Sequence, residues 1–265
     1  MTAADLTVVG RLGDASNAVF LVQTDDDTVG PGHAIYKPIR GERPLWDFPD
    51  GHLAHREVAA YLISRAAGWD LVPATVLREG PFGPGSVQAW VSAVDDGPAP
   101  PDSPAPPDIV IAPAGQVPPG YLPVVRGRLP DGTPVQVAHA DSPDLASMAV
   151  LDAVLNNSDR KGSHVLRDPN GRLWGVDHGV SLHVEDKLRT VLWGWQGEPI
   201  RSADRDRLDQ LVAPLARGGA LREALTPLLT GAEIEALTQR VATLRRTGTF
   251  PLPADGWPSL PWPPV

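Results

Sequence analysis

Short runs of apolar and β-branched residues fill the first third of the chain. Residues 6–22 contain two such runs on either side of a turn-rich stretch, and residues 34–38, 72–77 and 86–91 contain one run each. Runs of this length, bounded by turn-forming residues, are typical of strands. The pattern therefore predicts a hairpin followed by three further strands.

Apolar positions three or four residues apart predict helices elsewhere. Residues 52–67 show this spacing between the predicted third and fourth strands, and Gly68 is a suitable stop. Residues 143–156 and 203–246 show it in the second half of the chain. We therefore predict an α+β fold with a small N-terminal sheet, one helix beside it, and a mainly helical C-terminal part.

Two proline-rich segments interrupt these patterns. Residues 94–120 are rich in Pro, Asp and Gly, which predicts a long loop, linker or insert. We place the boundary there, between an N-terminal lobe of residues 1–93 and a C-terminal lobe of residues 94–265. Residues 251–265 contain two tryptophans and six prolines, which predicts an extended strap across the surface.

Composition narrows the function. The chain has 42% hydrophobic and 21% charged residues, which is ordinary globular usage. It has no cysteine, which excludes disulfides, thiolate zinc sites and thiol catalysis. A net charge of -9 disfavours a nucleic-acid partner. Because no apolar run spans a bilayer and the first residues lack a signal pattern, we expect a cytoplasmic protein and no membrane partner.

Lysine is scarce in this chain. Of its 23 basic residues, all but Lys37, Lys161 and Lys187 are arginine. A compact ammonium and a guanidinium are not interchangeable, so each lysine marks a position where the ammonium could matter. Lys37 lies on the predicted third strand, and Glu57 lies on the helix that follows.

The stretch after the second predicted helix carries the candidate chemistry. Asp159 stands in a loop, His164 follows five residues later, and Asp177 ends an apolar strand before Gly179. Phosphoryl transfer needs one carboxylate to orient or deprotonate the attacking hydroxyl and a second to hold a metal. In kinases a strand lysine also contacts the nucleotide phosphates and pairs with a helix glutamate.

These segments resemble those of a known superfamily. Asp159-Arg160-Lys161-Gly162-Ser163-His164 and Val176-Asp177-His178-Gly179 are similar to the catalytic and metal loops of the phosphatidylinositol 3-/4-kinase superfamily, which includes HipA-type protein kinases. Tyr36-Lys37-Pro38 and residues 41–49, 56–61 and 188–195 resemble an actinobacterial family of kinase-like proteins. The resemblance covers about residues 6–200 and implies a two-lobed kinase-like fold that binds ATP with Mg²⁺ or Mn²⁺.

The resemblance also implies roles for single residues. Lys37 would bind phosphate, Glu57 would position Lys37, and Asp177 would be a metal ligand. Asp159 would be the catalytic base or would orient the acceptor hydroxyl. Lys161 would keep Asp159 ionised and meet the transferred phosphate, or it is a solvated side chain.

The nucleotide contacts follow from the same comparison. If the turn in residues 10–17 covers the phosphates, Ser16 and Asn17 contact them, although an ordinary hairpin turn fits equally well. Residues 88–91 would line the adenine, with Gln88, Trp90 and Val91 as contacts, and the alternative for Trp90 is a core aromatic.

His164 departs from the superfamily pattern, which has asparagine there. Imidazole suits manganese or later metals better than magnesium. His164 therefore either ligates a different metal, or hydrogen-bonds Asp159 or phosphate, or is structural beside a one-metal site. His178 replaces the usual Phe or Leu, and Lys161 replaces the usual His.

The acceptor is the least constrained part of the prediction. Residues 184–199 take the place of a substrate segment, and an acidic chain without a basic amphipathic helix is a poor lipid enzyme. We therefore expect a phosphotransferase acting on a protein or a small soluble hydroxyl compound. The alternatives are a nucleotide-binding pseudokinase with a sensing or scaffolding role and a small-molecule phosphotransferase similar to antibiotic kinases.

Overall fold

An antiparallel sheet of five strands forms the start of the chain. The structure, a computed structural model, describes residues 6–13, 17–25, 27, 29–93, 107–254 and 256–264. The strands stand in the order β1-β2-β3-β5-β4. Their bounds are β1 Thr7–Arg11, β2 Phe20–Thr24, β3 Gly32–Pro38, β4 Thr75–Gly80 and β5 Gly83–Ala89. The predicted hairpin and the three further strands are confirmed.

Strands β4 and β5 lie closer together in the sequence than the apolar runs indicate. Gly80 and Gly85 look like turn residues, yet both lie inside strands. A Cβ at Gly85 would stand 2.4 Å from the Lys37 carbonyl oxygen, and one at Gly80 would stand 2.7 Å from the Tyr36 ring. Glycine is therefore required in these strands because β3 approaches so closely.

Helix α1, Leu53–Ala66, lies between this sheet and the C-terminal helices. Its buried face carries two charged residues besides its apolar ones. Arg56 is 2% exposed, and its guanidinium lies 2.5 Å from the Glu233 carboxylate, which is 4% exposed. This buried ion pair joins α1 to the last helix of the chain, and a buried charge of this kind requires its partner.

A second antiparallel sheet follows, which the sequence does not predict. It consists of β6 Ile109–Pro113, β7 Tyr121–Arg128 and β8 Pro134–Ala140 in the order β6-β8-β7. Strand β6 lies inside residues 94–120, so the loop prediction is wrong for that part. Because β6 and β7 are edge strands, they tolerate the prolines that obscure them in the sequence. The lobe boundary at residue 94 stays a prediction.

The remaining elements are mostly helical. They are α2 Pro143–Leu155, the hairpin strands β9 Val165–Arg167 and β10 Leu173–Gly175, and the helices α3 Ser202–Gln210, α4 Val212–Leu215, α5 Ala220–Leu225 and α6 Gly231–Thr247. Every residue from Leu145 to Leu155 in α2 is buried. Within the described part of the chain, we find no helix with the length and apolar character needed to span a bilayer.

Helix α2 lies in the larger of two hydrophobic clusters. That cluster also includes residues of α1, α3, α5 and α6, whereas a smaller cluster fills the N-terminal sheet around Val22, Tyr36 and Val87. The second sheet joins the larger cluster at the Trp193–Trp195 turn, where the His139 and Trp195 rings lie 4.3 Å apart and are tilted by 39°. His139 accepts a hydrogen bond from the Gly194 amide at 3.0 Å and lies 3.0 Å from the Ala140 carbonyl oxygen.

We expect the buried His139 to make stability depend on pH. Burial lowers the pKa of His139 below its ordinary 6.5, so the unfolded chain binds a proton that the folded chain does not. The neutral side chain's contribution is therefore fully present above pH 6.5 and is lost as the pH falls, by up to about 1.4 kcal/mol per pH unit. His139→Gln should remove this slope when the free energy of unfolding is measured by urea denaturation between pH 7 and pH 5.

The matched control is His33→Gln, at an exposed position of β3. It should follow the unmodified chain at every pH. A His139→Gln chain that loses stability with acid as steeply as the unmodified chain would contradict the assignment.

Candidate functional site

The Lys37 side chain stands at the centre of the site. In β3 the residues Ala34, Tyr36 and Pro38 are buried on one face, so alternation turns Lys37 to the other face, towards α1. Its ammonium lies 2.5 Å from the Glu57 carboxylate and 2.8 Å from the Asp177 carboxylate. One cation thus joins the N-terminal sheet, helix α1 and the loop after β10.

Glu57 makes a second contact that fixes the same arrangement. Its other carboxylate oxygen accepts a hydrogen bond from the His178 amide at 3.0 Å, and the residue is 2% exposed. Burial raises the pKa of Glu57, and the charge of Lys37 opposes that rise. Burial also acts to lower the pKa of Lys37, but Asp177 and Glu57 outweigh it, so that pKa is raised and the ammonium stays charged.

Asp177 follows β10 in a left-handed backbone conformation with φ 59°. This region is costly for a non-glycine residue and is common at functional sites. Its side chain is 52% exposed, and the charge of Lys37 holds its pKa well below the usual range, against the effect of burial. The site therefore presents an ionised, accessible carboxylate. A Cβ at the nearby Gly179 would stand 3.3 Å from the Leu53 side chain, so a larger residue there would crowd α1.

His164 lies beside Asp177. Its Nε2 is 3.5 Å from an Asp177 carboxylate oxygen, while its buried Nδ1 has no partner among the described residues. Burial lowers the pKa of His164 although Asp177 and Asp159 both act to raise it, so the ring is neutral at pH 7. A neutral imidazole can ligate a metal, but a metal-ligating histidine usually donates its other N–H to an acceptor.

A second acidic group stands on the loop before His164. The Asp159 carboxylate lies 3.0 Å from the Lys161 ammonium and 3.5 Å from the Arg189 guanidinium. Its amide donates to the Asn157 side chain at 3.0 Å, which fixes the loop after α2. The two acids Asp159 and Asp177 thus have different surroundings, the first flanked by two cations and the second by one.

Arg160 holds the two loops together. It is 0% exposed, and its guanidinium forms hydrogen bonds of 2.9 Å to both Asp152 carboxylate oxygens. It also donates to the carbonyl oxygens of His164 at 3.1 Å and Val176 at 3.0 Å. The same guanidinium lies 2.7 Å from His178 Nε2. Arg160 therefore fixes the position of the catalytic-loop candidate relative to the metal-loop candidate.

The structure places the four principal predicted residues in one region. Lys37 contacts both Glu57 and Asp177, and His164 connects Asp177 to the loop of Asp159. The roles assigned to these residues stay predictions.

Two of the predicted nucleotide-contact side chains already have hydrogen-bond partners within the protein. Ser16 lies outside the described residues, and the Asn17 side chain accepts from the Arg43 amide at 2.9 Å. Gln88 is buried and donates to Thr75 at 2.9 Å, so its side chain is used within the sheet. Trp90 is 38% exposed just after β5, and Val91 follows it. The Ala89 and Trp90 amides donate within the sheet, to the Ala74 carbonyl oxygen at 2.8 Å and the His33 carbonyl oxygen at 3.1 Å. The candidate contacts in this stretch therefore narrow to the Trp90 side chain and Val91.

Sequence reasoning missed three residues of this network. The sequence gives no role to Arg160 within its motif, and it does not indicate that Arg189 pairs with Asp159. Asp152 offered the clearest signal, because it is an acid inside an otherwise apolar, fully buried helix. A buried carboxylate requires a partner, which here is Arg160.

The residues present suit a divalent metal that is completed by phosphate. Among the described residues there is no group of three or more His, Cys, Asp or Glu side chains that would enclose a metal. Magnesium commonly binds one or two carboxylates and takes its remaining ligands from phosphate and water. Asp177 is ionised and exposed, and Asp177, Glu57 and Lys37 together carry an excess negative charge. The donor set therefore fits a metal that arrives with a nucleotide.

Comparison with known proteins adds a relative and a fold. No protein-family model matches the sequence. Protein Rv2133c of Mycobacterium tuberculosis (strain ATCC 25618 / H37Rv) is 48% identical over an alignment of 267 residues. The alignment covers 98% of this chain and 92% of that protein.

Two solved structures are similar in their backbone. The crystal structure of the Helicobacter pylori proinflammatory kinase CtkA aligns with a TM-score of 0.46 at 12% identity and covers 94% of each chain. The crystal structure of the golgi casein kinase aligns with a TM-score of 0.54 at 14% identity over 92% of this chain and 71% of that one. The second likeness confirms the kinase-like α+β fold. Membership of the phosphatidylinositol 3-/4-kinase superfamily stays a prediction.

We expect the buried ion pair of Asp152 and Arg160 to be required for the fold around the site. Asp152→Ala leaves the Arg160 guanidinium buried without its carboxylate, which should cost about 3–5 kcal/mol in the free energy of unfolding. Urea denaturation measures this loss.

Asp209→Ala is the matched control, because Asp209 also pairs with an arginine, Arg245, but is 59% exposed. That change should cost less than about 1 kcal/mol. Equal losses in the two variants would show that Arg160 does not depend on Asp152.

Proposed function

The chain belongs to the same family as Protein Rv2133c of Mycobacterium tuberculosis, and we propose that it is an ATP-dependent phosphotransferase that uses a divalent metal. The observation that carries this proposal is the contact of the Lys37 ammonium with both Glu57 and Asp177. A strand lysine paired with a helix glutamate beside a metal-ligating aspartate is the arrangement that positions a nucleotide triphosphate in kinases.

The N-terminal sheet would hold the nucleotide. Lys37 would pair with its phosphates, and the turn carrying Ser16 and Asn17 would cover them with backbone amides. The segment of Gln88, Trp90 and Val91 would lie along the adenine. Glu57 would act on Lys37 rather than on the nucleotide, because its carboxylate is buried and already binds Lys37 and the His178 amide.

Asp177 would be the principal metal ligand and His164 a second one. A bound Mg²⁺ or Mn²⁺ supplies positive charge against the phosphates. The imidazole nitrogen of His164 favours Mn²⁺ over Mg²⁺, which prefers oxygen ligands. This part of the proposal is supported by the exposed carboxylate of Asp177 and by the 3.5 Å separation of the two side chains.

Asp159 would orient the acceptor hydroxyl and take its proton. The acceptor oxygen forms a bond to the γ-phosphorus, the bond from that phosphorus to the β–γ bridging oxygen breaks, and ADP leaves. Lys161 and Arg189 stand beside Asp159 and would meet the charge of the transferred group. We propose a protein or a small soluble hydroxyl compound as the acceptor, and the cytoplasm as the location.

One observation favours the alternative of a pseudokinase that binds nucleotide without turnover. The Asp159 carboxylate is paired with Lys161 and Arg189, and His164 stands where the superfamily has asparagine. The candidate base and the candidate second metal ligand therefore both depart from the superfamily pattern. Such a protein would sense nucleotide or serve as a scaffold. Binding of ATP and metal without transfer to water, to the chain itself or to any added acceptor would favour it.

Asp159→Asn should reduce phosphoryl transfer by about 10²- to 10⁴-fold, since it removes the base. Nucleotide affinity should change by no more than about twofold, because Asp159 contacts the acceptor side. The measurement is release or incorporation of the labelled γ-phosphoryl group of ATP, with affinity measured separately by titration. Asp186→Asn, an exposed acid in the neighbouring segment, is the matched control and should leave both quantities unchanged. Unreduced transfer in Asp159→Asn would remove Asp159 from this role.

Asp177→Ala should weaken metal-dependent nucleotide binding by about 100-fold or more, because the principal ligand is lost. His164→Asn should instead lower the ratio of nucleotide affinity in Mn²⁺ to that in Mg²⁺, because an oxygen ligand replaces a nitrogen. Titration of nucleotide with each metal measures both effects, and Glu185→Ala, an exposed acid, serves as the control. An Asp177→Ala chain with undiminished metal dependence would show that the metal is held elsewhere.

A further inference from the structure

The C-terminal tail, defined here as residues 256–264, contacts two segments that carry residues of the candidate site. The Ser259 carbonyl oxygen accepts hydrogen bonds from the Thr190 amide at 3.1 Å and from the Trp193 indole at 2.8 Å. The Pro264 carbonyl oxygen accepts from the Gly162 amide at 2.8 Å. The tail is thus fixed to the body of the protein at two separate places.

Both places adjoin the cations that contact the Asp159 carboxylate. Gly162 follows Lys161, and Thr190 follows Arg189. The tail is therefore hydrogen-bonded to the two segments whose side chains surround Asp159. An acceptor hydroxyl that reaches Asp159 would have to pass beside these same segments.

Hydrogen bonds of this kind are suited to binding an extended, proline-rich polypeptide. In each of these hydrogen bonds the body donates and a tail carbonyl accepts. Proline has no amide hydrogen, so a proline-rich segment offers carbonyls without unsatisfied donors. Aromatic-lined grooves bind such segments with little entropic cost, since the extended conformation exists beforehand.

The two ends of the tail differ in how their tryptophans are placed. Trp257 lies 4.7 Å from the Lys187 ammonium, which is also near the rings of Trp46 and Phe48. At the Gly162 end, in contrast, Trp262 is 84% exposed. Residues 260–265 contain no hydroxyl group, so this end can occupy the acceptor face without being modified.

We propose that the groove formed by Gly162, Thr190 and Trp193 binds an extended segment of a protein acceptor, and that the chain's own tail occupies it as a tethered competitor. This inference rests on the proposed function and deepens it, because it names a polypeptide as the acceptor. A protein acceptor would displace the end with the exposed Trp262, residues 262–264, while the anchor at Trp257 remains.

A labelled peptide of residues 256–265 tests the groove without requiring turnover. It should bind a chain that ends at residue 255 at least about tenfold more tightly than it binds the full chain, because a tethered segment has an effective concentration near the millimolar range. Trp257→Ala in the full chain, which loosens the anchor and keeps the chain otherwise intact, should give intermediate affinity if the shortened chain fails to fold.

Two tryptophan variants show whether the peptide uses the same groove. Trp193→Phe removes the indole donor to Ser259 and should weaken peptide binding about fivefold. Trp195→Phe is the matched control, because its indole donates to Asp141 and not to the tail. Equal affinity of the peptide for the full and shortened chains, or binding to neither, overturns the groove.

Introduced serines test whether the groove is the acceptor site. Trp262→Ser, Pro263→Ser and Pro264→Ser each place a hydroxyl near Gly162 in the full chain. At least one should take up the γ-phosphoryl group of ATP on its oxygen, with ADP released and the proton passed to Asp159. Leu252→Ser, at an exposed position before the tail, should take up none.

The peptide-binding and serine-transfer experiments together distinguish a failure of the groove, of the acceptor assignment and of the proposed function. Peptide binding as expected, with transfer to water or to the chain itself but to none of the three serines, overturns the acceptor assignment. Peptide binding as expected with no transfer of any kind supports the groove and overturns the proposed function. Modification of an introduced serine that Asp159→Asn abolishes supports both.

Discussion

The ion pairs of Lys37 with Glu57 and Asp177 are the constraint on which the rest of the site depends. They connect a strand, a helix and a loop that are far apart in the sequence, and Glu57 adds a hydrogen bond to the amide next to Asp177. Asp177 adopts its left-handed conformation where these contacts hold it on both sides. The strain at that residue is thus offset by contacts with the N-terminal sheet and α1, which ties the geometry of the metal-loop candidate to the position of β3.

Arg160, a second charged group of the network, likewise connects separate segments within the C-terminal part. Arg160 pairs with Asp152 in α2 and also contacts the backbone of both loops, so a buried helix of the larger core determines where the loops lie. Burying a guanidinium is costly unless every donor finds an acceptor. That requirement fixes the loops more narrowly than apolar packing would, because few arrangements satisfy all the donors at once.

These two networks explain what the sequence could and could not predict. Lys37, Glu57, Asp159 and Asp177 can be proposed from the sequence because their residue types stand in a chemically meaningful order along the chain. Arg160, Asp152 and Arg189 were missed because their importance arises from contacts that no local pattern contains. The second sheet was missed for a different reason: its edge strands accept prolines, and in the sequence these prolines are indistinguishable from those of a loop. The helical C-terminal part and the N-terminal sheet were predicted because hydrophobic spacing alone determines them.

The two acids of the site differ in ways that the residue type alone does not set. Asp177 is exposed and has one ammonium beside it, so its remaining charge is open to a further cation. Asp159 has a lysine and an arginine beside it, so it has less capacity to attract a metal, yet its oxygens can still accept a hydrogen bond from a hydroxyl. Gly162 and Thr190, which follow these two cations in the chain, supply the backbone amides that bind the tail. If the proposed function holds, the same short segments would determine which acid meets the metal, which meets the acceptor, and where a polypeptide would lie to reach it.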